Sequence, residues 1–145
     1  VDAIYVALGG ADAVNFLSQY QQSGGEAPLI GGSITVDQTV LTSKGKLRDV
    51  LIGTPAAGPT ADTNEDPAWL AFTEAYKKQA GAFPSPSLFA HGYYINMKAA
   101  LLAIDELKGD ISDPAKLRDT PAGLSFDTPT RKVSVSYTHL TPPTL

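Results

Sequence analysis

Few residues of this sequence are of types that do chemistry, and most of those are spaced for other work. There are two histidines and no cysteine. His91 falls within a long helical pattern, and His139 within a proline-rich end segment. Without cysteine there are no disulfides, thiolate metal sites or Cys nucleophiles. No serine stands in a Gly-x-Ser-x-Gly context, so a hydrolase nucleophile elbow is unsupported. Leu8-Gly9-Gly10-Ala11-Asp12-Ala13 is not the dinucleotide fingerprint, because its first two glycines are adjacent, and it lacks the lysine of a P-loop. Asp37, Asp66 and Asp113 each precede a helical pattern, where capping explains a carboxylate without acid–base work. This inventory points away from an enzyme and gives no metal site and no cofactor. It leaves two glycine-rich corners, residues 8–12 and 31–34. Their chemistry would be that of exposed main-chain groups, unless they simply turn the chain.

The elements that would position those corners are legible around them. Ala3, Ile4, Tyr5, Val6, Ala7 and Leu8 form a continuous apolar run that predicts a strand buried on both faces. Ala13, Phe16, Leu17 and Tyr20 follow at helical spacing, with glutamines on the other side. Ser23-Gly24-Gly25 ends that helix, and Pro28 to Ile30 begins a second apolar run. Strand, helix and strand over ~30 residues make a right-handed crossover within a parallel sheet. Such sheets collect ligands at the carboxyl ends of their strands. Here those ends are Leu8, Gly9, Gly10, Ala11 and Asp12 on one strand, and Gly32, Ser33 and Ile34 on the next.

Further along, Asp37 predicts a cap for a short helix through Leu41, ended by residues 43–46, and Val50-Leu51-Ile52 a third strand. Residues 54–65 have neither period; two prolines and many small residues mark a linker between sub-domains or a surface loop. Asp66-Pro67 opens a helix with Trp69, Phe72 and Tyr76 on one face, expected to be core, closed by Gly81. Residues 84–86 must be extended. Ser87 opens the longest helix, through about Lys108, with Phe89, Tyr93, Met97, Ala100, Leu101, Ile104 and Leu107 as its buried stripe. Asp113-Pro114 starts a short helix, and residues 124–126 and 132–135 predict two short strands.

The bulk numbers fit one α/β domain: 145 residues, 43% hydrophobic. Eleven basic residues against fifteen acidic ones argue against nucleic acid or an anionic membrane surface. No apolar run approaches the ~18 residues of a membrane span, so no direct membrane insertion is expected. The sequence starts inside a strand pattern with no initiating Met and no signal peptide, which suggests a fragment of a longer protein. Residues 136–145 read as a disordered tail. They resemble a translated adapter, which suggests that the native sequence stops near Val135.

The run from Asp2 to Val6, Gly9-Gly10-Ala11-Asp12-Ala13-Val14, Pro28-Leu29-Ile30-Gly31-Gly32, Gly53, Asp66-Pro67-Ala68-Trp69 with Phe72 and Tyr76, and Gly92-Tyr93 together resemble one family. It is that of the type I periplasmic substrate-binding proteins of ABC transporters, in the branched-chain amino acid (leucine-binding) group. The resemblance covers Val1 to about Val135. It implies a three-layer parallel-sheet fold of two α/β lobes that close on a small solute. Residues 1–57 would be a partial second lobe and residues 58–65 a hinge crossing with Pro55, Gly58 and Pro59. Residues 66–122 would be first-lobe helices, and 123–135 short strands at the hinge. It implies ligand contact through Leu8, Gly9, Gly10, Ala11, Asp12, Ser33 and Ile34, with His91 near the cleft, and the expected glycine near Arg131 is absent. It implies a periplasmic location, a small polar solute and an inner-membrane ABC permease as partners, or a sensor domain of the same fold; a small α/β enzyme is the third possibility. Ser33 stands where amino-acid binders carry an acid that grips the ammonium. A hydroxyl supplies no charge-assisted bond, which keeps aromatic carboxylates and urea-like or amide solutes open. The implied missing strands would leave this chain alone marginal or aggregation-prone, binding its solute weakly or not at all.

Overall fold

A computed structural model describes residues 1–43, 47–79 and 81–135. Within them the chain forms two compact units that divide at Ala90–His91. The predicted end tail (136–145), His139 and the helix end at 44–46 lie outside the described residues.

The first unit has the expected α/β character. Strand β1 (Ile4–Val6), helix α1 (Gly10–Gln22) and strand β2 (Leu29–Gly31) make a βαβ crossover with β1 and β2 parallel, Ile4 opposite Leu29 and Val6 opposite Gly31. Gly24 at φ +70° and the Gly25 amide bonded to the Tyr20 carbonyl at 2.9 Å close α1 as its sequence predicts. Short helices α2 (Gln38–Leu41) and α3 (Leu47–Val50) follow. Val6, Ala13, Leu17, Leu29, Val40 and Leu51 form the core, so the helices share the sheet face that Val6 and Leu29 present. The opposite face is open: Tyr5 is 67% exposed and Ile30 40%.

Three expectations are corrected here. The first strand covers Ile4–Val6 rather than residues 3–8, and it is buried on one face only. Val50-Leu51-Ile52 is not a strand. Val50 ends α3, Leu51 turns into the core, and Ile52 is exposed before Gly53 at φ +81°. The third strand position is instead touched by the supposed linker, where Gly31 bridges Ala56 in parallel and the Gly31 amide donates to the Pro55 carbonyl at 2.9 Å. Short apolar runs carry no period that separates strand from helix.

Helix α4 (Pro67–Lys77) starts where predicted, with the Asp66 carboxylate accepting the Ala68 amide at 2.8 Å. Trp69 is buried and packs on Phe72, ring centroids 5.6 Å apart. Helix α5 (Leu88–Glu106) begins in this unit and continues into the next. Its predicted buried stripe is the third correction: Phe89, Tyr93, Met97, Ala100 and Leu101 are exposed, while His91 and Ala103 are the buried positions. The stripe has helical period, but no partner for it stands among the described residues.

In the second unit, α6 (Pro114–Asp119) is capped by Asp113. Strands β3 (Ser125–Asp127) and β4 (Lys132–Ser134) form an antiparallel hairpin. Phe126 is its buried residue, with the Lys98 ammonium 5.9 Å from the ring centroid. Among the described residues no helix is long and apolar enough to cross a membrane.

Candidate functional site

The two glycine corners meet at the carboxyl edge of the β1–β2 sheet because β1 stops early. The Val6 carbonyl, the last of the strand, accepts the Gly32 amide at 2.8 Å and the Thr35 hydroxyl at 2.8 Å. The same hydroxyl lies 2.8 Å from the Leu8 carbonyl, and the Thr35 amide donates to the Gly32 carbonyl at 3.0 Å. Thr35 is 1% exposed. It pins residues 8–10 against residues 32–35. Nothing in its sequence context marked Thr35; a lone Thr in an apolar run reads as a strand former, and only the tertiary pairing exposes its role.

Close approach explains Gly9. A Cβ there would stand 3.1 Å from the Ile34 Cβ, so a side chain at residue 9 would push the two corners apart. Gly10, at φ +52°, starts α1 in a backbone conformation that favours glycine. Gly9 gives α1 an extended N-cap with no side-chain cap bond, and the Ala13 amide takes the Gly9 carbonyl at 3.2 Å. The Gly10, Ala11 and Asp12 amides therefore lack intrahelical acceptors at the positive end of a helix of 13 residues. Asp12 adds an exposed carboxylate to that first turn.

Ser33 and Ile34 are half-buried beside them. Ser33 lines an open cleft of about 450 Å³ with Tyr5, Ile30, Gly32, Pro55 and Ala56. Of the expected hinge residues, Pro55 extends the sheet, and a Cβ on Gly58 would stand 3.0 Å from the Ser33 Cβ. Pro59 is exposed. A second hollow, about 420 Å³ between Tyr20, Pro28 and Ile52, lies at the amino end of β2, where a parallel sheet offers no converging helix N-terminus.

His91 belongs to the second unit. It is 3% exposed, with Nε2 3.1 Å from the Thr130 hydroxyl. Burial, and then the nearby Arg131 charge, hold its pKa below the ordinary histidine value. Its surroundings therefore favour a neutral imidazole. The turn it meets is stiffened by the Thr128 side chain, whose hydroxyl bonds the Arg131 carbonyl and amide. Among the described residues no cluster of three or more His, Asp or Glu could hold a metal ion.

The arrangement is thus a rim of main-chain groups with the Ser33 and Tyr5 hydroxyls and the exposed Asp12 carboxylate. The profile of a family described as periplasmic binding protein matches residues 1–141. Among solved structures, an ABC transporter substrate-binding protein from Sphaerobacter thermophilus is similar at 26% identity, with a TM-score of 0.73 over 92% of this chain. A solute-binding protein of an ABC transporter from Rhodopseudomonas palustris, in complex with 3,4-dihydroxybenzoic acid, is 22% identical (TM-score 0.70, 93% of this chain). Another from R. palustris, in complex with benzoate, is 19% identical (TM-score 0.72, 95% of this chain). The chain spans 36%, 36% and 37% of those three chains. No curated protein matches it.

Proposed function

From the premise that this chain belongs to the periplasmic binding protein family, we propose that it contributes to the substrate-binding component of an ABC-type uptake transporter. It holds a small solute non-covalently and is not an enzyme. The protein works in the periplasm and presents its closed form to a membrane permease. The observation that carries the reading is the Thr35 clasp, which gathers two backbone-rich corners at the edge of the sheet where ligands collect.

The solute class follows from the donors on that rim. Uncapped amides at residues 10–12 and the Ser33 hydroxyl suit a carboxylate or amide oxygen. Ser33 provides no charge to hold an ammonium, so a branched-chain amino acid would find no acid at that position to grip its amino group. We infer a small aromatic carboxylate, a class that two similar solute-binding proteins hold in their crystal structures. In this reading residues 1–57 belong to one lobe, with Pro55 leading into a hinge crossing over 58–65 that holds Gly58 and Pro59. Residues 66–122 contribute helices to the other lobe, and residues 123–135 cross back.

The test is a thermal-shift and calorimetric series on the full-length protein with benzoate, benzamide and leucine, since a ligand of the native state raises apparent stability. Benzoate should raise the midpoint and leucine should not. Stabilisation by leucine alone would refute the solute class, and no response to any of the three would refute the binding role.

A further inference from the structure

Asp37 looks like an ordinary helix cap, and its carboxylate does cap α2, accepting the Thr39 hydroxyl at 3.2 Å and the Thr39 amide at 3.4 Å on Oδ2. The other oxygen is used elsewhere. Oδ1 accepts the Leu88 amide at 2.6 Å, from 51 residues away. Leu88 is the first residue of α5, and Ser87 caps the same turn through the Ala90 amide at 3.1 Å. One carboxylate, 6% exposed, therefore serves the N-termini of two helices, where negative charge is favoured.

A second acid ties the same segments. Asp62 accepts Gln38 Nε2 at 3.3 Å on one oxygen and the Ser85 hydroxyl on the other. Residues 37–38 are thus fastened to the chain entering α5 at two points. Only Val36 separates them from Thr35, which clasps the corners together.

We propose that Asp37 is a positioning residue for the candidate solute site: its grip on the Leu88 amide fixes the exit of the 32–36 turn and so holds Ser33 and Ile34 in place. The role as a solute site rests on the function proposed above; the mechanical claim does not. Occupancy of the corners and order in the first turn of α5 are linked through this bond, so each should respond to the other.

The test is a single-donor deletion. Leu88→Pro removes the amide that Asp37 holds, at a helix position where proline is well accommodated, and Leu88→Ala controls for the loss of the half-buried side chain. Amide exchange at Gly32 and Thr35 should quicken about tenfold, the scale of one lost charge-assisted hydrogen bond, and benzoate should bind more weakly by a similar factor. The Thr120 amide in α6's last turn serves as the control and should not change. If Leu88→Pro accelerates Thr120 as well, Asp37→Asn decides, because it keeps the shape and one acceptor. Faster exchange at Thr39 and Leu88 in Asp37→Asn with Gly32 and Thr35 unmoved overturns the proposal. Absence of benzoate binding by the unmodified full-length protein would refute the function reading, while the exchange result would still stand or fall alone.

Discussion

Replacing Thr35 with valine is the sharpest probe of the clasp. The substitution exchanges a hydroxyl for a methyl in a site that is 1% exposed, so shape is kept and the bonds to the Val6 and Leu8 carbonyls are lost. The Val6 oxygen keeps the Gly32 amide at 2.8 Å. The Leu8 oxygen loses its hydroxyl donor, but Leu8 is 38% exposed, so water reaches that end. The penalty therefore falls near the low end of the range for a stranded acceptor, about 1–1.5 kcal/mol. With a urea slope of about 1–3 kcal/mol per molar, the midpoint should fall by roughly 0.3–1.5 M. Thr35→Ser keeps the hydroxyl and removes a buried methyl, which costs about 1 kcal/mol by itself. Stability alone will not separate the two variants. Benzoate affinity should: Thr35→Val releases residues 8–10 from residues 32–35 and weakens binding, whereas Thr35→Ser retains it. Equal affinities in the two variants would refute the clasp as the device that assembles the rim.

Other consequences are equally direct. The His91 pKa lies below its ordinary value of 6.5, so the folded state binds fewer protons than the unfolded chain between the two values. Stability should be full above about pH 6.5 and decline as pH falls through that window, a slope that His91→Gln removes in urea titrations at about pH 7.5 and about pH 5.5; a slope surviving in the variant would count against it. Gly25→Ala places a Cβ 2.2 Å from the Tyr20 ring, a ring held by its hydroxyl to the Ala27 carbonyl at 2.5 Å. It should destabilise by about 1–3 kcal/mol, and a thermal midpoint equal to that of the parent would disprove the clash. The exposed run Tyr93, Met97 and Leu101 on α5 should drive self-association; Met97→Lys with Leu101→Lys should lower light scattering at fixed concentration, and unchanged scattering would place the cause elsewhere.

The legible parts of the fold were those decided locally. Asp66-Pro67, Asp113-Pro114 and Ser23-Gly24-Gly25 are helix punctuation, and each sits at the helix end it predicts. The βαβ unit followed from two apolar runs with a helical period between them. What failed was decided by neighbours. Val50-Leu51-Ile52 suits a strand, yet Leu51 gains the core from a turn after α3. Phe89, Tyr93 and Met97 have the period of a buried stripe without a partner here, and the buried positions fall to His91 and Ala103. The glycine corners were visible because glycine is itself a backbone signal. Thr35 and the long-range bond of Asp37 were not, since a hydroxyl and a carboxylate announce a hydrogen bond without saying to whom.

Among the described residues β1 is bonded to β2 alone, so its far edge offers main-chain donors and acceptors to any extended segment that comes alongside. Tyr5, standing uncovered on that strand, adds a flat surface for the newcomer to stack on. A sheet so built can grow by one strand at its outer side, and a chain at high concentration can supply that strand from a neighbouring copy. The short run of three residues is what keeps such pairing weak.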